Sequence, residues 1–245
     1  MPRLRLAALL TAGFLVLVAG CSGTPSTPTP AAAGSSSAAP SPSTPAAPPL
    51  AAAKVGTAVT DAAKQASAVH VKGTMTQDGS NVNLDLQLNP DSAGGTVVKD
   101  GLEIPVLRVG SKYYFRFTDS LVKQAGIPAS AAKQLTGKWV ASTAKIGAGI
   151  ADAFKVFLDY KSFTEGILGE LAKSTFTGGE PTTLAGEPAL NFTSPDGTAT
   201  VAAAEPHYLL RMQDPKSGAM EFSDWNKPST LSEPPAAEIY SGPGS

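Results

Sequence analysis

The sequence predicts an α+β domain: a curved, mostly antiparallel β-sheet with helices packed on its concave face, the interior being a core or a core with a gap. Three observations lead there. From Val69 to Phe117, and again from Ser174 to Trp225, apolar and polar residues alternate between turn signals, the period of half-buried strands. The segment between them repeats its apolar residues at helical spacing. Strands, then helices, then strands is the order of an α+β fold rather than of a βαβ one.

Ala51 to Ala68 opens the domain as an Ala-rich amphipathic helix, with Val55, Val59, Ala62, Ala63 and Ala66 on one face. At Val69 the period changes to two: Val69, Val71 and Met75 alternate with His70, Lys72 and Thr74. Asp78-Gly79 is a hairpin signal. Val82, Leu84, Leu86 and Leu88 then share a strand face until Asn89-Pro90-Asp91 ends it, and a third strand lies near Gly95 to Lys99. Leu102 to Val109 is a fourth strand whose apolar parity switches beside Pro105: Leu102, Ile104 and Val106 on one face, Leu107 and Val109 on the other. A bulge or a sheet edge is expected there. Gly110-Ser111 suits a type II′ turn, after which Tyr113, Phe115 and Phe117 face one side.

Asp119 to Thr136 reads as short helices broken at Gly126-Ile127-Pro128, followed by a short strand at Lys138-Trp139-Val140. Ile150, Ala153, Phe154, Phe157 and Leu158 form one apolar helix face, and Phe163, Ile167, Leu168 and Leu171 form the next. Strands are expected near Ser174–Thr177, Leu184–Thr193, Thr198–Glu205, Tyr208–Gln213 and Ala219–Trp225.

The N-terminus reads as an address. Arg3 and Arg5 precede a short apolar run from Leu6 to Val18, and Val18-Ala19-Gly20-Cys21 follows. This resembles a bacterial lipoprotein signal: residues 1–20 a signal peptide, Cys21 the lipidated first mature residue. Two or more acyl chains on Cys21 would hold the protein stably on a membrane, here the outer leaflet of the cell membrane. Residues 21–50 continue as a Pro/Ala/Ser/Thr-rich stalk holding eight of the chain's 21 prolines and no charge. Such a segment buries too little apolar surface to order itself and, extended, reaches about 90 Å at ~3.1 Å per residue. Residues 51–228 are the folded domain and 229–245 a flexible tail.

Composition narrows the function. One cysteine and two histidines cannot supply a disulfide framework or a Cys/His zinc cluster, and no cofactor is expected. A net charge of −1 lacks the basic stripe that nucleic acid demands. Ser-x-x-Lys occurs at Ser120/Lys123, Ser130/Lys133 and Ser142/Lys145, but the Ser-Asp-Asn and Lys-Thr-Gly partners of penicillin-binding enzymes are missing. Asp152 and Asp159, seven residues apart, read as a solvated helix side. His70 and His207 read as exposed, and Trp139 and Trp225 as packing residues whose N–H finds an acceptor. A non-enzyme is expected.

Several short motifs then line up with a known family. Ser67-Ala68-Val69-His70-Val71 opens the first strand after an Ala-rich helix. Gly166-Ile167-Leu168-Gly169-Glu170-Leu171 lies in the mid-chain helices. Leu184-Ala185-Gly186 precedes a strand, and Phe222-Ser223-Asp224-Trp225 ends the last one. With the lipobox and stalk, the chain resembles the actinobacterial LppX/LprAFG lipoproteins, which have the LolA half-barrel fold. The resemblance implies an apolar cavity that binds acylated lipid or glycolipid and carries it within the cell envelope, an envelope transporter as a further partner, and a monomer. The candidate lining is Val69, Val71, Met75, Leu84, Leu86, Leu88, Ile104, Tyr113, Phe115, Phe117, Phe154, Phe157, Ile167, Leu168 and Leu171. Pattern alone leaves these as cavity wall or as sealed core. The other reading is a surface lipoprotein with a filled core that contacts a protein or cell-wall partner.

Overall fold

The computed structural model describes residues 49–77 and 79–242. The signal, lipobox and stalk expected over 1–48, including Cys21, lie outside the described residues, as does Asp78. Residues 47–245 form one compact unit.

The chain begins with a 3-10 turn, Ala52–Lys54, and helix α1, Val55–Gln65. Six antiparallel strands follow with a helical insertion: β1 Val69–Gln77, β2 Ser80–Asn89, β3 Ser92–Lys99, β4 Leu102–Val109, β5 Lys112–Arg116, then α2 Asp119–Gln124, α3 Ala129–Leu135, and β6 Trp139–Ala141. Helices α4, Lys145–Leu158, and α5, Tyr160–Gly166, and a 3-10 helix, Leu168–Lys173, lead into β7 Thr177–Leu184, β8 Glu187–Ser194, β9 Gly197–Ala202, β10 Leu209–Asp214 and β11 Gly218–Ser223. The eleven strands make one open antiparallel sheet, ordered β6-β5-β4-β3-β2-β1-β11-β10-β9-β8-β7. Two meanders are thus joined where the first strand pairs with the last.

Alternation gives the sheet its two faces. One register row crosses seven strands on the inner face as Val140, Phe115, Val106, Gly95, Leu86, Val71 and Phe222, and its side chains are buried. A neighbouring row on the outer face runs Asp85, Lys72, Glu221, Arg211, Thr200 and Asn191. Gly95, at φ +147°, sits so close to β2 that a Cβ would overlap the Asp85 carbonyl.

The helices cover the inner face. Phe154 of α4 meets Phe115 at 5.9 Å between ring centres, and Phe163 of α5 meets Phe222 at 6.3 Å. α1 lies against the 3-10 helix: Thr60 Oγ1, which donates to Gly56 O at 2.8 Å, lies 3.4 Å from Leu168 O, and Tyr160 from α5 donates to Ala63 O at 2.7 Å, satisfying a carbonyl at the helix end. Burial pushes the Tyr160 phenol up to about 12, so it remains a donor at neutral pH. Gly56 is the close-contact point, where a Cβ would overlap the Leu171 carbonyl.

Of the bulge or sheet edge expected beside Pro105, the structure has the edge: the β4 register with β3 runs unbroken from Ser92↔Val109 to Lys99↔Leu102. Pro105 is tolerated because β5 stops opposite Val106, leaving β4 one strand neighbour there. Other expectations are corrected. The parity switch at Leu107 has another cause. Leu107 faces outward yet is buried, because Leu231 packs on that side of the sheet, both of their side chains lying over Gly94. The segment from Gly178 to Thr183, read as a connection, is strand β7; it is an exposed edge with a bulge between Gly178 and Glu180 and a proline at 181, so no burial pattern marks it. Phe117 lies past the end of β5 and packs with Leu121, Val122, Leu135, Val140 and Tyr240 in a second cluster. Asp159 is not on a solvated helix side: α4 stops at Leu158, and Asp159 turns inward to Arg108.

The segment read as a flexible tail runs along the outer face as far as it is described. Glu233 accepts from Lys112 Nζ at 2.8 Å and from the Tyr114 hydroxyl at 2.6 Å. Burial, then Glu233, pushes Tyr114 up to about 12. Ile239 bridges Trp139 in parallel, Tyr240 N donates to Trp139 O at 2.8 Å, and the Tyr240 ring is buried in the second cluster.

Gly56→Val should lower stability by ~1–3 kcal/mol, the usual cost of overpacking a tight contact, and thermal unfolding should shift down by several degrees. An unchanged melting temperature would show that α1 and the 3-10 helix are not in contact.

Candidate functional site

The concave face ends at a rim formed by the β3–β4, β8–β9 and β10–β11 turns. Two clefts open there. The smaller, about 220 Å³, lies between the sheet and α4, with Val82, Leu102 and Ile104 on one wall and Ala153, Phe154 and Phe157 on the other. Lys99, Asp100 and Gln124 stand at its edge. The larger, about 460 Å³, lies under the 3-10 helix, with Ile167, Leu171 and Phe176 opposite Met212 and Thr198. Its lip is polar: Lys173 Nζ lies 2.6 Å from Glu170, and Asp214 accepts from the Ser217 hydroxyl and the Lys216 amide, which hold its carboxyl below the usual range. Lys173 and Glu170 thus neutralise each other and Asp214 is satisfied by neutral donors, while the walls are apolar. Met75 and Val82 belong to the strands between the two clefts. Met75, Leu102, Ile150, Val156, Ile167, Leu171 and Met212 are only partly buried against the core, so apolar surface reaches solvent along this rim.

The candidate lining residues separate into groups. Ile104, Phe154 and Phe157 line the smaller cleft, and Ile167 and Leu171 the larger. Met75 and Tyr113 are half-buried at the edge of the core. Val69, Val71, Leu84, Leu86, Leu88, Phe115 and Leu168 are filled core, each at most 2% exposed. Phe117 belongs to the second cluster. The rim residues Leu102, Met212 and Phe176 were missed by sequence reading: Leu102 opens β4 and Phe176 lies outside a strand, where alternation gives no signal, and an irregularity between Leu209 and Arg211 breaks the alternation ahead of Met212.

One buried ion pair fixes α4 and α5 above these clefts. Arg108 continues the inner face of β4, one pleat beyond Val106, and Nη2 lies 3.3 Å from Asp159 Oδ2, with Nη1 donating to Pro90 O at 3.3 Å. Asp159 Oδ1 accepts from the amide and hydroxyl of Ser162, each at 2.8 Å, capping α5. Burial raises the Asp159 carboxyl, but the Ser162 bonds and then Arg108 and Lys155 outweigh it, leaving it below the usual range.

A Ser–His–Asp line does occur, on the outer face. His70 Nε2 lies 2.7 Å from Asp85 Oδ1, and Ser223 Oγ lies 3.4 Å from Nδ1. Lys72 takes the other Asp85 oxygen at 2.9 Å; it is the main cause of the lowered Asp85 carboxyl and is itself raised in return. A contact of 3.4 Å is beyond the ~2.6–3.2 Å reach of a base that activates a nucleophile, so the line reads as cross-strand polar pairing.

Asp159→Asn keeps the helix cap but leaves the Arg108 charge without its anion. Stability at pH 7 should fall by ~2 kcal/mol, below the 3–5 typical of a fully buried pair because Asp159 retains some exposure. The sign of the pH effect follows from the lowered carboxyl. Its contribution is full above the unfolded value of ~3.9 and is lost as pH falls through the lower folded value. Urea titrations at pH 7 and across the acid range should show wild type losing its advantage over Asp159→Asn toward low pH; a constant gap would contradict the assignment.

No family model matches the sequence, and no curated protein matches it. Solved structures do. LprF of Mycobacterium bovis aligns with 75% of this chain and 96% of its own at 14% identity and a TM-score of 0.50. The Mycobacterium tuberculosis lipoprotein LppX aligns over 74% and 97% at 15% identity and a TM-score of 0.46. The MucA/MucB complex of Pseudomonas aeruginosa aligns over 78% and 61% at 12% identity and a TM-score of 0.31. The likeness to LprF shows the fold: the chain has the open, curved, helix-covered sheet of the LppX/LprF type.

Proposed function

We propose that this protein is a membrane-anchored, extracytoplasmic lipoprotein that binds acylated lipid or glycolipid and carries it within the cell envelope. The observation that carries the reading is the rim: two clefts walled on both sides by apolar side chains, contiguous with the buried core and open to solvent. Each methylene sheltered there is worth about 0.8 kcal/mol, so acyl chains entering both clefts offset part of the cost of leaving a bilayer. Movement of α4 and the 3-10 helix would lengthen the clefts inward. Arg3, Arg5, the apolar run and the lipobox supply the anchor, with Cys21 acylated and residues 22–50 as the tether. The second reading is a surface lipoprotein that contacts a protein or cell-wall partner. It is favoured by how far the helices fill the concave face, where Leu86, Phe115, Phe163 and Leu168 are fully buried.

Residues 47–245, a compact unit by themselves, should be secreted without Cys21 and examined by native mass spectrometry and organic extraction. Bound lipid, or uptake from vesicles, is expected. Leu102→Gln and Met212→Gln together should reduce uptake about fivefold or more, given the apolar area removed. A domain that carries no lipid and takes none from vesicles overturns the reading and leaves the second.

A further inference from the structure

A further cavity, about 690 Å³ and larger than either rim cleft, is at the opposite end of the sheet and on its outer face. His70, Lys72, Glu221 and Ser223 reach it from β1 and β11, all on the register parity that points away from the core. Leu184, Ala202 and Leu210 supply an apolar floor. Tyr208 and Trp225 form one wall, stacked at 4.8 Å and 11°. Both rings are held: Trp225 Nε1 donates to Leu209 O at 2.9 Å, and the Tyr208 hydroxyl accepts from Asn226 at 2.6 Å. Trp225 also stacks on Phe222 at 6.4 Å and 18°, so the rings are fixed in a row of which Tyr208 is the outer member, and both Tyr208 and Trp225 remain partly exposed.

A second observation marks the same place. Among the described residues, five non-glycines have positive φ; two of them, Ala185 at 51° and Asp224 at 50°, line this groove, and two more, His207 at 27° and Asn226 at 61°, adjoin its lining residues Tyr208, Trp225 and Lys227 in the chain. Such backbone costs energy and concentrates at ligand sites and switch regions. Here it shapes the loops that carry Tyr208 and Trp225.

Charge decides the ligand class. Lys227 pairs with Asp224 at 3.0 Å and Lys72 with Asp85 at 2.9 Å, while Glu187 and Glu221 stand near those lysines without closing on them. Two lysines, Lys72 and Lys227, face three carboxylates, Glu187, Glu221 and Asp224, so the groove has no excess of positive charge for a phosphate and too many charges for an acyl chain. It presents flat aromatic carbon beside carboxylate acceptors and ammonium donors. A neutral sugar ring matches this: a C–H face to stack on the platform, and hydroxyls that both donate and accept.

We propose that this groove is a saccharide site that takes a neutral hexopyranose unit, either of a free glycan or of a glycolipid headgroup. The site is separate from the rim clefts, so it stands or falls independently of the lipid reading.

Saturation-transfer NMR on residues 47–245 with cellotriose, maltotriose and mannotriose reads the free-glycan arm. Sedimentation with phosphatidylcholine vesicles, with and without monogalactosyl diacylglycerol, reads the headgroup arm. Transfer from a trisaccharide, or sedimentation only with the galactolipid, is expected. Affinity should fall about tenfold in Tyr208→Ala, the order of one lost aromatic contact, and also in Glu221→Gln, which leaves the fold intact on an exposed strand position. Leu102→Gln with Met212→Gln should leave saccharide binding unchanged. No transfer and no galactolipid-dependent sedimentation overturns the proposal, as does binding that both groove variants leave unaltered.

Discussion

The pairing of β1 with β11 is the constraint on which the rest depends. The residues paired across this seam are far apart in sequence, His70 with Ser223 and Met75 with Gly218. Without it the chain is two separate meanders, each with a half-covered apolar face. With it, Val71 and Phe222 lie side by side and the inner row becomes continuous across seven strands. The helices can then be shared: α5 reaches Phe222 of the second meander, and α4 reaches Phe115 of the first. Such long-range pairing closes a large loop before it gains contacts, which makes folding slow and cooperative.

Most of the first meander was legible in the sequence, because its strands alternate, apart from the switch in β4, and its turns contain Gly, Pro and Asn. β7 was not legible, because an exposed edge strand has no buried face to impose a period. The parity switch at Leu107 was read as a local defect, whereas its cause lies at Leu231, more than a hundred residues later, on the other face of the sheet. Asp159 shows the same limit. Its spacing from Asp152 suggests a common helix side, but the helix ends one residue earlier and the side chain serves the next helix and Arg108. Of the site, the apolar helix faces were visible and their depth was not. Periodicity identifies which side chains face inward, but the division of that face into core and cleft depends on how far each helix stands from the sheet.

That division bears on how a carrier of this type would work. Close-packed interiors offer no room for a chain until something moves. Here the lower part of the concave face is filled, and the open apolar surface is confined to the rim, where half-buried Met and Leu side chains adapt at low cost. The Arg108–Asp159 pair lies at the other end of α4, where β4 meets the β2–β3 turn through Pro90. The N-terminal end of the helix is held as well, Gly147 lying so close to β6 that a Cβ would overlap the Ala141 carbonyl, so the helix is fixed at both ends and adjoins a cleft between them.

The open sheet has two outer strands, and they are protected differently. At β6 the chain's own Ile239 and Tyr240 occupy the backbone groups of Trp139. At β7 a bulge and Pro181 interrupt the hydrogen-bonding pattern. If the protein is tethered to a membrane as proposed, this matters more than for one free in solution. Neighbouring copies collide with their sheets in similar orientations, and an exposed, regular edge would template strand-to-strand polymerisation. Closing one edge with the C-terminal segment and spoiling the other lets many copies crowd together while each sheet remains its own.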